Sequence, residues 1–188
     1  MIKIIAMLEN PTIQKSCIIE QHRIVVDDKL IWSSATDVPF SDFAKGAFHR
    51  LDIDYPKFYK MDALSKLAFL AAEYILQGED KGELALILAN KSGSLDTDIK
   101  HQESIQDTEN YYPRPATFVY TLSNICAGEI AIRHGLQTEQ AFFIAEEFPE
   151  ETIFAYTDYL LQSDKAKRVL CGWVEYFQEE YRAVLYLV

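Results

Sequence analysis

Short apolar stretches broken by turn formers fill the first 55 residues; longer stretches with helical spacing fill the rest. Residues 2–8, 16–20 and 23–26 read as short strands, ended by Asn10-Pro11 and Asp27-Asp28. Residues 41–50 read as a helix capped by Ser41. Residues 56–77 place Met61, Leu64, Ala68, Ala71, Ala72 and Ile75 at steps of three and four, which predicts one helix. Leu67, Phe69 and Leu70 widen its stripe, so most of its surface should be buried, and Gly78 suits its C′ position. Residues 83–89 are continuously apolar rather than alternating, which predicts a central strand covered on both faces.

Farther along, residues 95–105 form a polar helix and 111–114 a loop punctuated by Pro113 and Pro115. Residues 123–134 read as a helix from an N-cap at Ser123 to Gly135. A strand over 139–145 follows, then a helix with Pro149 at its first position, then strands over 168–175 and 181–188. Alternation of this kind predicts an α/β protein, with helices on the faces of a mixed sheet. No linker or repeat divides the chain, so residues 1–188 are expected to form a single domain.

Composition narrows the function. The 188 residues carry 29 acidic and 18 basic side chains, a net charge of −11. That argues against nucleic acid and against an anionic membrane surface as partners. The start MIKIIAMLENP lacks a signal-peptide cleavage site, so the cytoplasm is the expected compartment. Seven glycines are few for this length, and GxGxxG, GxxxxGK[ST] and GxSxG are absent. Cys17, Cys126 and Cys171 stand far apart, and the histidines include no HExxH. Neither a disulfide framework nor a zinc site is expected, and no cofactor.

Each remaining constellation has an ordinary explanation. Glu146, Glu147, Glu150 and Glu151 suit a helix start, where the dipole favours negative charge, although two carboxylates also suit acid–base work. Asp96 and Asp98 lack the glycine and distal glutamate of a calcium loop. Cys126 and Cys171 sit in apolar surroundings and read as inert thiols. Tyr111, Tyr112, Phe118 and Tyr120 read as a loop packed on the core. His134 suits a helix C-terminus, where a positive charge is favoured.

Three segments together resemble the N-terminal half of the β-ketoacyl synthases. Residues 59–68, YKMDALSKLA, resemble the family's Met-Asp helix, and residues 89–95, ANKSGSL, its following turn. Residues 115–136, PATFVYTLSNICAGEIAIRHGL, are similar to the family's segment with an asparagine, then alanine-glycine, then glycine-leucine. Residues 169–175, VLCGWVE, resemble a strand ending in glycine-glycine-x-glutamate. The resemblance covers about residues 56 to 180. It implies a thiolase-like layered fold, half of a ketosynthase, with one mixed five-stranded sheet and helices on both faces.

The departures from that family shape the functional expectation. The position of the family's nucleophilic cysteine falls at Glu147, or at Glu146 if the alignment slips by one. A carboxylate carries no thioester. The family's two histidines belong to a second half for which this chain has no counterpart. The resemblance therefore implies a non-catalytic subunit like a chain-length factor. Such a subunit partners an active β-ketoacyl synthase in fatty acid, polyketide or aryl-polyene-type biosynthesis. The family's strand at the dimer two-fold corresponds to Gln140, Ala141, Phe142, Phe143, Ile144 and Ala145, with Asn124 and Gly128 on the neighbouring helix. The acyl carrier protein, being acidic, is expected to engage the partner rather than this chain. Two alternatives stay open: an acyl-thioester decarboxylase or hydrolase using Glu147, and a stand-alone homodimer that binds acyl chains.

Overall fold

The computed structural model describes residues 12–107, 109 and 111–188; the strand expected over residues 2–8 lies outside the described residues. In chain order the strands are β1 (Lys15–Glu20), β2 (Arg23–Val26), β3 (Lys29–Ser33), β4 (Leu84–Asn90), β5 (Gln140–Ile144), β6 (Arg168–Phe177) and β7 (Glu180–Leu187). The helices are α1 (Phe40–Arg50), α2 (Ala63–Leu76), α3 (Leu95–Ile105), α4 (Pro115–Val119), α5 (Ile125–His134) and α6 (Glu150–Gln162).

Strand β4 is buried at every position. Its side chains alternate between two cores, Leu84, Leu86 and Leu88 on one face and Ala85, Ile87 and Ala89 on the other. Parallel neighbours β5 and β6 flank it, while the remaining pairs in the order β3-β2-β1-β7-β6-β4-β5 are antiparallel. Helix α2 lies on the first face between α1 and α5, with Leu67, Phe69 and Leu70 wholly buried. Each such side chain contributes about 2 kcal/mol of burial free energy. Helix α6 covers the second face over β4 and β6, sealing it with Ile153 and Leu160.

The sheet has seven strands, not the expected five. The reason is β1, which pairs along its whole length with β7 and so joins the N-terminal meander to the same sheet. Strand β3 escapes the sequence pattern because Leu30, Ile31 and Trp32 follow one another without alternation. Asp27 and Asp28 take φ of 49° and 61°, a two-residue left-handed hairpin turn made without glycine. Gln21-His22 and Gln178-Glu179 make the same kind of turn.

The helix expected over residues 56–77 is divided. Pro56–Lys60 is a 3-10 turn, and α2 starts only after Asp62. The Asp62 Oδ1 accepts the Ser65 N–H at 2.8 Å and so caps α2. Its Oδ2 accepts the Thr97 hydroxyl at 2.8 Å and ties α3 to that start. Neither Ser41 nor Ser123 is a cap. Pro39 and Asn124 hold those positions without side-chain bonds, and Pro149 occupies the cap rather than the first turn of α6. Gly135 closes α5 in the left-handed conformation, at φ 66°.

Gly172 has φ of 150°, and a Cβ there would land on the Val184 carbonyl oxygen and stand 2.9 Å from the Leu185 Cα. Only glycine allows β6 and β7 to cross so closely. Gly172→Ala is expected to destabilise the protein by about 3 kcal/mol or more, read as a lower midpoint in urea or thermal unfolding.

Candidate functional site

Strand β5 ends the sheet, and its outer edge faces no other described strand. The Glu139 carbonyl accepts the Leu86 N–H at 3.0 Å, and the Ala145 N–H donates to the Asn90 carbonyl at 2.9 Å. Odd-numbered residues thus turn their backbone groups to β4. Alternation turns those of Gln140, Phe142 and Ile144 outward, as a free pairing edge. Phe142 packs against the α2 core and Phe143 against the α6 core, so the strand is anchored from both faces.

Apolar side chains border this edge. Ile144 is 57% exposed, and its Cδ1 stands 3.7 Å from where a Cβ on Gly93 would be. Leu95 opens the adjoining α3 and is exposed. The Ser94 hydroxyl donates to the Thr121 carbonyl at 2.9 Å, which brings the segment with the exposed Leu122 to the start of α3, while the exposed Phe118 lies against His101 farther along that helix. On the other side, Gly128, Ile132 and Gln140 line a shallow groove of about 340 Å³ between α5 and β5. Gly128 and Gln140 therefore meet, whereas Asn124 sits exposed at the head of α5.

Ile132, 67% exposed, was not singled out from sequence. The available signal was an excess. Helix α5 carries Ile125, Cys126, Ala127, Ile130, Ala131 and Ile132, more apolar positions than one buried face uses. The tyrosine-rich loop also departs from expectation. Tyr111, Tyr112 and Phe118 are exposed, and only Tyr120 is buried, donating to Glu129 at 3.0 Å.

The segments that carry the family resemblance meet at the C-terminal end of β4. The Asn90 side chain closes its own turn, donating to the Gly93 carbonyl at 2.9 Å and accepting the Gly93 N–H at 3.0 Å. Glu175 of β6 accepts the N–H groups of Lys91 and Ser92 at 2.7 and 3.1 Å. These contacts lock the loop beside the β5 edge.

Glu146 and Glu147 lie in the loop between β5 and α6, and both are exposed. Glu146 pairs with Lys91 at 2.9 Å, and that hydrogen bond and charge hold its carboxyl below the ordinary value. Glu147 borders a groove of about 310 Å³ with Phe148, Trp173, Arg182, Val184 and Tyr186. The three cysteines are buried and unpaired, and burial pushes the Cys17 and Cys171 thiols up to about 12. Cys126 is raised by the same cause. Among the described residues, no three His, Cys, Asp or Glu side chains converge on a metal-sized site, and no helix is long and apolar enough to cross a membrane.

No protein-family model matches the chain, and no curated protein matches it. Solved structures do. A chain of the ishigamide ketosynthase/chain length factor aligns over 94% of this chain with TM-score 0.69 and 16% identity. A chain of the Xenorhabdus doucetiae ketosynthase ApeO in complex with its chain length factor ApeC aligns over 94%, with TM-score 0.63 and 14% identity. A third match is the AntDE:AntF assembly, a type II polyketide synthase acyl-carrier protein in complex with its ketosynthase, with 93% coverage, TM-score 0.56 and 13% identity. The chain spans 61%, 77% and 61% of those chains respectively. It therefore has the mixed α/β fold of ketosynthase and chain-length-factor chains.

His134, read from sequence as a favourable helix-end cation, is buried beside Glu73 and Arg133. Burial holds its imidazole below the ordinary value, against the pull of Glu73, with Lys81 and Arg133 adding to the lowering. A depressed folded value favours the neutral ring. Its stabilising contribution is full above the unfolded value of about 6.5 and is lost as pH falls toward the lower folded value. Wild type should lose stability between pH 7 and pH 5 more steeply than His134→Gln, measured as denaturant midpoints across that range.

Proposed function

We propose that this chain is a non-catalytic, chain-length-factor-like subunit that pairs with an active β-ketoacyl synthase, in polyketide, aryl-polyene-type or fatty acid biosynthesis. Residues 1–188 act as one unit equivalent to a ketosynthase N-terminal half, working in the cytoplasm. The observation that carries this reading is the open β5 edge with its apolar border. A pairing-competent edge flanked by exposed isoleucine and leucine is a hazard in a free monomer and an asset in a dimer. The ketosynthase and chain-length-factor complexes among the structural neighbours support the choice of partner.

The position equivalent to the nucleophile, at Glu147 or Glu146, holds an exposed carboxylate, which supports a role without acyl transfer. The acyl carrier protein meets the partner subunit rather than this acidic one. The β5 edge also suits a second copy of this chain, and the mass of the complex separates the two arrangements.

Co-expression with the full-length ketosynthase encoded nearest to it should give a complex by size exclusion with light scattering. Ile144→Asp and Gln140→Pro alter exposed groups on the open edge, so both should fold and lose the complex by tenfold or more in affinity. A wild-type chain that stays monomeric, alone and with the synthase, overturns the proposal.

A further inference from the structure

A large cleft lies away from the β5 edge and shares no residue with it. About 550 Å³ in volume, it opens between the starts of α1 and α2, helices α3 and α4, and the β6–β7 turn. Its apolar lining comes from Phe40, Met61, Tyr120 and Tyr176, all buried. Lys60, Lys66, Lys100 and Arg114 stand around it. A cleft of this size with an apolar lining and a few convergent polar groups is the form small-molecule sites take.

The distribution of charge gives the site its sign. The chain holds 29 acidic side chains against 18 basic ones, so a free cation needs a reason. Among the described residues, the side chains of Lys60, Lys66 and Arg114 make no ion pair and no hydrogen bond, whereas Lys100 pairs with Asp96 at 2.6 Å. Of the three acids in the lining, two are already engaged by fixed donors. Asp62 accepts from the Ser65 N–H and the Thr97 hydroxyl. Glu179 accepts the Phe40 N–H at 2.8 Å and the Tyr176 hydroxyl at 2.9 Å. Glu103 is exposed on the last turns of α3. Lys66 is half-buried one turn beyond Asp62: burial holds its ammonium below the ordinary value, the Asp62 charge opposes that, and Lys45 and Lys100 add like charge. A negative group among these ammonium and guanidinium groups would add to the attraction of Asp62 and offset the like charges of Lys45 and Lys100.

We propose that this cleft binds a small organic anion, a phosphate or carboxylate head on a compact apolar body. The head lies among Lys60, Lys66 and Arg114, and the body lies on Tyr120 and Tyr176. The site stands independently of the partner reading.

Phenyl phosphate, benzoate and uncharged phenol are suitable probes for titration of the full chain, followed by amide chemical shifts and calorimetry. Phenyl phosphate or benzoate should shift Lys66, Thr97 and Thr117, bind at least tenfold more tightly than phenol, and weaken as salt is raised. Lys66→Met, which keeps the buried stem, and Arg114→Gln, on the surface, should each weaken binding about tenfold with unfolding midpoints unchanged. Equal binding of phenol, or variants that bind like wild type, overturns the proposal. So does a cleft that ignores all three probes, including one where an acidic protein shifts the same residues.

Discussion

Everything in the layout follows from burying β4 completely. Seven residues with no exposed face must have their backbone groups bonded on both sides and their side chains covered above and below. Parallel neighbours β5 and β6 meet the first need, and α2 and α6 meet the second. Parallel pairing forces long crossovers, so the loops after β4 and β5 gather at one end of the sheet. The Asn90–Gly93 turn, the Lys91–Glu146 pair and the β5 edge are neighbours for that reason.

Much of this is legible in sequence where the signal is local. The continuous apolar run gives β4, and the glycine in the left-handed conformation gives the end of α5. Long-range pairing is not legible, because nothing in residues 15–20 marks β7 as their partner some 165 positions away. The turn at Asp27-Asp28 is legible, but the unalternating Leu30-Ile31-Trp32 hides β3 behind it. The division at Asp62 is hidden too, since apolar spacing continues through Met61 and only the capping bond shows where α2 begins. At the candidate site, the β5 residues are readable as an apolar strand, but the border formed by Leu95, Leu122 and Ile132 depends on tertiary placement.

The residues that carry the family resemblance turn out to be fasteners. Asp62 caps α2 and ties α3. Asn90 and Gly93 close a turn, Glu175 holds that turn to β6, and Gly172 lets two strands cross. Each solves a backbone problem, and none requires a reactive group. A chain can keep all of them, and with them the fold, whatever its loop after β5 carries.

The two ends of the sheet are built differently. At the β3 end Leu30 and Ile31 are also exposed, but the register shifts between Ile24 and Val25 and Lys29 begins the strand, features that discourage a further strand from adding. At the β5 end the edge is straight, short and flanked by apolar side chains. A sheet with one receptive end and one blunted end has a built-in stopping rule. If two such sheets joined at their β5 ends, as proposed above, they would present only their β3 ends outward, and association would halt at a pair instead of running on into a fibre.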